Sequence, residues 1–309
     1  MTEPGDAVVL GGAPGAVLAG HVAGGGGPAQ VAVLRTGGLA LFGGWAGSPA
    51  GWWSSPALAD AGPPLQDAAG CATAAGVHHG VNRRGLFVAC AAAGPMARAG
   101  LAGAVLARAG GVEQALALIS AAAPGLDGPG RIWLADPGAA ARVDAGPDGV
   151  HVDGEPLPES AGADLGDVRA GLRTRAPDAA ISAIAARLDP EGPTLLVCLG
   201  PPGSGVFVRQ WTGLPPPPPL TAADGPPLLG SLAAALAAAD AAPDLAAVEA
   251  VALAEGDDAE RLARIMDAAG DDHGAEVRRV LAQSYAAGLA VEALEGRLAA
   301  SGAGGGPTL

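Results

Sequence analysis

The chain has 309 residues and a formal net charge of −14, and its 17 basic residues are all arginine. This length allows about two domains, or one large α/β unit with an appendage. The excess of acidic residues argues against a protein that binds the nucleic-acid backbone. Glycine (51) and proline (28) are frequent, but half of the residues are hydrophobic, so we expect a folded core.

Cysteine usage and the distribution of charge indicate the compartment. Cys71, Cys90 and Cys198 share no C-x-x-C spacing, which argues against a disulfide framework or a zinc site and favours a reducing environment. The first basic residue is Arg35, whereas a secretory signal carries positive charge before its apolar stretch. The longest apolar runs are interrupted by Gly, Pro or Asp. We therefore expect a cytoplasmic protein with no membrane segment, no metal and no cofactor.

Short β-prone runs dominate the N-terminal part of the chain. Glycine and proline separate these runs at the spacing of sheet strands, which predicts successive hairpins. A further strand over 85–90 follows a segment at 81–85 whose Asn and Gly suit a tight turn. The β-prone runs lie at residues 7–10, 16–18, 30–34 and 39–42.

Helices and further strands follow in the middle of the chain. Apolar spacing predicts one helix from about residue 97 and another from residue 112, and this pair would cover the sheet. The remaining predicted elements are a strand at 131–136, a hairpin of 142–144 with 150–153, an amphipathic helix from Pro177 to Leu188, and strands at 194–199 and 206–211.

A proline run, Pro215 to Pro219, marks a domain boundary because it favours an extended polyproline conformation. After this run the composition shifts to Ala, Leu and acidic residues, with apolar residues at helical spacing. We therefore predict a first domain over 1–214, a Pro-rich linker over 215–226, a helical appendage over 227–300 and a disordered tail over 301–309.

Five short segments, taken in order, resemble the secernins and their cysteine dipeptidase relatives, a branch of the N-terminal-nucleophile hydrolases. Penicillin acyltransferase-like enzymes share this layout. The resemblance spans about residues 5–214 and implies an α+β fold, a four-layer αββα sandwich of two antiparallel sheets with a helical C-terminal appendage. The segments are 5–10 with 15–20, 80–86, 112–116, 132–137, and 198–200 with 206–208.

The catalytic positions of that family are altered in this chain. The resemblance places a nucleophilic Cys at the start of the first strand and Asp and Arg on the second strand. Here Gly5 stands at the nucleophile position, and Val22 to Gly25 occupy the positions of the charged residues. Residues 7–59 contain no Asp or Glu, which leaves His21 alone for acid–base chemistry there. We therefore expect a catalytically degenerate homologue, more a pseudoenzyme than an enzyme, that binds a small molecule or a protein.

Two alternatives remain open. The first is an active cysteine amidohydrolase, acyltransferase or dipeptidase acting on linear amides, with Cys71, His78 and Asn82 as its site residues. The second is a structural partner of an active homologue. Against the first alternative, a buried cysteine is usually a packing residue, and a surface turn is the default interpretation of His78-His79.

Partner predictions rest on four other features. Trp52 and Trp53 lie in a Gly/Ser/Pro-rich stretch and would either anchor an interface or pack on the core. Apolar residues near Leu262 would close on the core domain or on a second copy. Arg173 and Arg175 would clamp a carboxylate or neutralise neighbouring acids. Gly200 to Gly205 lacks the lysine of a phosphate-binding loop and is interpreted as a hairpin turn. We expect a protein partner or homo-oligomer, allow a small amide or peptide ligand, and expect no nucleic acid or membrane.

Overall fold

The computed structural model of the chain describes residues 6–11, 17–24, 30–35, 38–40, 67–73, 76–90, 96–126, 129–153, 163–175, 180–221, 226–240 and 245–302. Their strands are β1 Asp6–Gly11, β2 Val17–Gly24, β3 Gln30–Arg35, β4 Gly38–Ala40, β5 Ala68–Thr73, β6 Gly76–Asn82, β7 Phe87–Cys90, β8 Gly130–Asp136, β9 Ala139–Gly146, β10 Gly149–Asp153, β11 Ala180–Leu188, β12 Thr194–Leu199 and β13 Val208–Gln210. Their helices are α1 Met96–Arg108, α2 Val112–Ala122, α3 Leu165–Arg175, α4 Leu228–Ala238, α5 Ala246–Ala268 and α6 Asp272–Ala300.

The strands form two antiparallel sheets, which confirms the α+β class and the two-sheet prediction. The five-stranded sheet has the order β1-β2-β11-β12-β13. The eight-stranded sheet has the order β10-β9-β8-β7-β6-β5-β3-β4. The predicted hairpins β1–β2 and β3–β4 are present, but β2 and β3 belong to different sheets.

Alternation along the strands separates the core into layers. On β2, Val17 and Ala19 belong to the cluster between the sheets, whereas Leu18 packs with Val168 and Leu172 of α3 on the outer face. A Cβ atom at Gly20 would lie 2.6 Å from a methyl carbon of Val168, so this glycine lets α3 approach the strand closely. The outer face of the larger sheet packs against α1 and α2. Helices therefore cover the outer face of each sheet.

Two sequence predictions in this region are wrong. Residues 180–188 form β11, at the centre of the smaller sheet, and not the predicted helix, because a strand buried on both faces gives a nearly continuous apolar run. The helix instead precedes this strand, at Leu165–Arg175. The His78-His79 pair lies in buried β6 and not in a surface turn. The sequence does not predict strand β5, which pairs with β6.

The C-terminal helices pack on the sheets. Leu229 and Leu236 of α4 and Leu294 of α6 belong to the same core cluster as Ile184 and Val197 of the smaller sheet. The inner face of α5 is formed by small residues such as Ala259 and Ala263, while Leu262 and Ile265 are exposed. The predicted apolar stripe near Leu262 therefore does not close on the core.

Other predictions fall outside the described residues, namely those on Gly5, on Trp52 and Trp53, and on the end of the predicted tail from residue 303. Among the described helices, none has both the length and the apolar character needed to cross a membrane.

Candidate functional site

A row of polar side chains crosses the space between the two sheets. Ser182 of β11 lies with its Oγ atom 3.2 Å from Nε2 of His79 on β6. Nδ1 of His79 lies 2.8 Å from Nδ1 of His21 on β2, so one ring donates and the other accepts. The Ser182 hydroxyl is also a hydrogen-bond partner of the Cys71 thiol on β5. We call Cys71, Ser182, His79 and His21 the intersheet cluster.

Strand register brings this cluster together. Cys71 is the direct cross-strand partner of His79, and the register shifts immediately afterwards, so that His78 is the extra residue of a bulge. A second irregularity lies between Ala180 and Ser182 in β11. Both departures from regular pairing therefore lie next to the cluster, while His79 and Ser182 keep the regular strand alternation that places them on the same inner faces as Val81 and Ile184.

Burial holds every member of the cluster in its uncharged form. His21, Cys71, His79 and Ser182 are all fully inaccessible to solvent. Desolvation lowers the pKa of His21 to about 3, with the charge of His78 as a second cause, and it lowers the pKa of His79 well below its usual value. Desolvation also raises the pKa of the Cys71 thiol to about 12. At neutral pH the cluster therefore contains a thiol, a hydroxyl and two neutral imidazoles.

Within the described residues, hydrogen bonding satisfies only one of the two ring nitrogens of His21. Nε2 of His21 has no hydrogen-bond partner among the residues that the structure describes. The His21 ring packs at 5.4 Å from the Trp133 ring and edge-on to His79 at 5.1 Å. A buried polar atom without a partner costs about 1–3 kcal/mol, so the cluster is not explained by stability alone.

The order hydroxyl, imidazole, second imidazole is that of an activated serine nucleophile, in which one base takes the proton and a further group orients that base. Catalysis also needs room for a substrate beside the nucleophile. Ser182 and Cys71 are fully buried, so the described structure provides hydrogen bonding for a nucleophile but no access to it.

The predicted site residues are brought together only in part. Cys71 belongs to the cluster, and His78 lies close enough to lower the pKa of both His21 and His79. Burial lowers the pKa of His78 itself to about 4. Asn82 lies apart from them, because its amide donates to the carbonyl oxygens of Leu106 and Ala109 at 3.0 and 2.7 Å. Its own oxygen accepts from the backbone of residues 84 and 86, so Asn82 holds the turn against the end of α1.

The residues of β2 that pair with the start of β1 have no acidic or basic side chain other than His21. The register places Asp6 opposite Val22 and Ala7 opposite His21. The neighbours of this strand end are therefore Val22, Ala23 and Gly24, and Ala23 is fully buried. No residue of β2 can here supply the carboxylate or guanidinium that the family resemblance implies.

The chain itself supplies the carboxylate that Arg173 binds. Glu249 of α5 is 2% exposed and accepts hydrogen bonds from Arg169, from Arg173 and from the backbone N–H of Phe207. The side chain of Arg175 lies outside the described residues. Gly200 to Gly205 connects the antiparallel strands β12 and β13, which confirms the hairpin prediction.

No family model matches the chain, and no curated protein matches it. Within the described part of the chain, no three His, Cys, Asp or Glu side chains are grouped so as to hold a metal ion.

Proposed function

We propose that this chain is a non-catalytic binding protein that keeps the scaffold of an N-terminal-nucleophile hydrolase of the secernin type. The observation that carries this proposal is the sealed intersheet cluster, whose nucleophiles and bases are fully buried and uncharged. Its role is to bind a small molecule or a protein in the cytoplasm. The three free and buried cysteines are compatible with that compartment.

The layer order supports the scaffold. Two antiparallel sheets face each other, and helices cover the outer face of each. The first strand begins at Asp6, directly after Gly5, and pairs with β2, which in turn pairs with the central strand β11. Within the described part of this strand, Asp6 pairs with Val22 and Ala7 pairs with His21.

The chemistry supports the loss of catalysis. A cysteine nucleophile attacks as the thiolate, and the raised pKa of the Cys71 thiol keeps it protonated at neutral pH. Gly5 has no side chain that could replace it. The end of β2 that pairs with Asp6 carries Val22 and Ala23, so it offers no charge to orient a thiol.

The test is hydrolysis of dipeptides and linear amides by the purified chain, with and without a reducing agent. We expect no turnover. We also expect the Gly5→Cys variant to be inactive, because the change restores a thiol but neither the carboxylate nor the guanidinium on β2. Turnover by the natural chain that Cys71→Ala abolishes, with an unchanged circular dichroism spectrum, would contradict the proposal.

The hydrogen-bonded row favours one second candidate, a serine hydrolase in which His79 activates Ser182 and His21 orients His79. In this case Ser182→Ala would abolish turnover and Cys71→Ala would not. The same assay therefore separates the two nucleophiles as well as testing the absence of activity.

A further inference from the structure

A second region of the molecule has the features of a ligand site. A cavity of about 410 Å³ lies outside the smaller sheet, between α3 and α5. Three arginines from three different elements line it: Arg169 of α3, Arg187 of β11 and Arg209, which belongs to β13. This convergence is notable in a chain with 17 arginines and a net charge of −14.

Two of these arginines have N–H donors that are not used in hydrogen bonds to the described protein groups. Arg209, with a side chain 7% exposed, stacks at 4.8 Å on the Trp211 ring and gives one hydrogen bond, from Nη1 to Asp257 at 2.7 Å. Arg187 gives one, from Nε to Asp189. A guanidinium group carries five N–H donors, so most of the donors on these two side chains are not used by the described protein groups.

The two carboxylates that line the cavity play different roles. Asp164 is committed to the start of α3, where one of its oxygens accepts from the backbone N–H groups of Gly166 and Asp167. Asp257 is 78% exposed, and Arg209 is its partner. Because the Asp257 carboxylate is largely in water, while Arg209 is buried and needs a counter-charge, an incoming anion can take the place of Asp257 on Arg209.

Apart from Thr194, the rest of the lining is formed by apolar residues and a glycine. Leu18, Leu165 and Leu253 contribute to the wall of the cavity. An anion bound by the arginines would therefore place an attached hydrocarbon group against these leucines, where its burial is favourable.

We propose that this cavity binds a small organic anion, whose carboxylate or phosphate group replaces Asp257 on Arg209 and whose apolar part contacts the leucines. Arg187 and Arg169 supply further donors on the same cavity. Planar guanidinium groups suit both carboxylate and phosphate because they form paired, charge-assisted hydrogen bonds. The inference deepens the proposed binding function, on which it rests, by naming the class of ligand.

The test is calorimetric titration of the full chain with benzoate, phenyl phosphate and, as a cation of similar shape, benzylamine. We expect at least one of the two anions to bind with millimolar or tighter affinity, and benzylamine not to bind. The anion that binds more tightly identifies the headgroup as carboxylate or phosphate.

Two variants should shift the affinity in opposite directions. Arg187→Gln should weaken anion binding about tenfold, because it removes a charge-assisted donor. Asp257→Asn should strengthen binding several-fold, because it removes the competing carboxylate. Arg261→Gln, an exposed arginine paired with Asp258, is the matched control and should leave the affinity unchanged. Arg187 and Asp257 are both at least half exposed, and unfolding curves will verify that each variant folds.

The inference is overturned if neither anion binds to the natural chain or to Asp257→Asn, if benzylamine binds equally well, or if Arg187→Gln binds like the control. Such results would leave the absence of catalysis intact. Turnover of an amide would instead overturn the proposed function while leaving anion binding in the cavity unaffected.

Discussion

Replacing Glu249 by glutamine is expected to lower the free energy of unfolding by about 3 kcal/mol, because it removes the charge that balances two largely buried arginines. The Glu249 side chain is 2% exposed, whereas Arg169 and Arg173 are 16% and 28% exposed. The carboxylate joins α5 to α3 and also accepts the backbone N–H of Phe207. Its neutral analogue would leave Arg169 and Arg173 without a counter-charge at the helix interface.

The measurement is urea unfolding at neutral pH, with Asp258→Asn as the matched control. Asp258 forms an ion pair with Arg261 in which both side chains are more than 60% exposed, at 63% and 67%. Pairs of this kind contribute less than about 1 kcal/mol, so the control should change little. Equal effects of the two substitutions would show that Glu249 does not hold these elements together.

Lowering the pH from 6.5 to 4.5 is expected to destabilise the folded protein steeply. Burial lowers the pKa of His21 to about 3 and of His78 to about 4, and it lowers the pKa of His79 well below its usual value of 6.5. Below pH 6.5 the unfolded chain therefore binds protons that the folded chain does not. Stability present above pH 6.5 is lost as the pH falls toward the folded-state values.

The expected size of this effect is large. Each such histidine contributes up to about 1.4 kcal/mol per pH unit, so three approach ~4 kcal/mol per pH unit near pH 5. Desolvation raises the pKa of Glu260, but hydrogen bonds from Arg279 and Trp211 outweigh it and lower the pKa to about 2, so Glu260 adds to the loss mainly around and below its ordinary pKa of 4.5. The three histidines therefore account for most of the loss of stability between pH 6.5 and 4.5.

Urea unfolding at a series of pH values measures the slope. His21→Gln should reduce the slope by about a third, because it removes one of the three groups. His273→Gln changes an exposed residue of α6 and should leave the slope unchanged. A stability that stays constant across this window would contradict the burial of the three histidines in an uncharged form.

Much of the fold is predictable from local sequence, because turn residues mark its hairpins and apolar periodicity marks its helices. The hairpin of β9 and β10 turns at Pro147 to Gly149, and the helices after residue 227 keep an apolar period that needs no tertiary information. The strand β11 was misassigned because Ile181, Ile184 and Leu188 match helical spacing, while burial of both faces removes the alternation that marks a strand.

The candidate site was less predictable, because it depends on which strands face each other. The sequence points to Cys71 and the histidine pair, and to His21 as the one base near the start of the chain. It does not point to Ser182. A hydroxyl inside an otherwise apolar run was its only signal, and nothing local says that β11 faces β6 across the core. The arginine-lined cavity likewise joins residues from separate elements.

Mass spectrometry of the intact, folded protein after exposure to a fluorophosphonate or to iodoacetamide tests the loss of catalysis most directly. The first reagent reports an activated serine, and the second reports an accessible thiolate. We expect no adduct from either reagent on the folded chain, and modification of Cys71, Cys90 and Cys198 by iodoacetamide once the chain is unfolded in denaturant. A single adduct at Ser182 or Cys71 of the folded protein, lost in His79→Gln, would instead show a working nucleophile and contradict the proposed function.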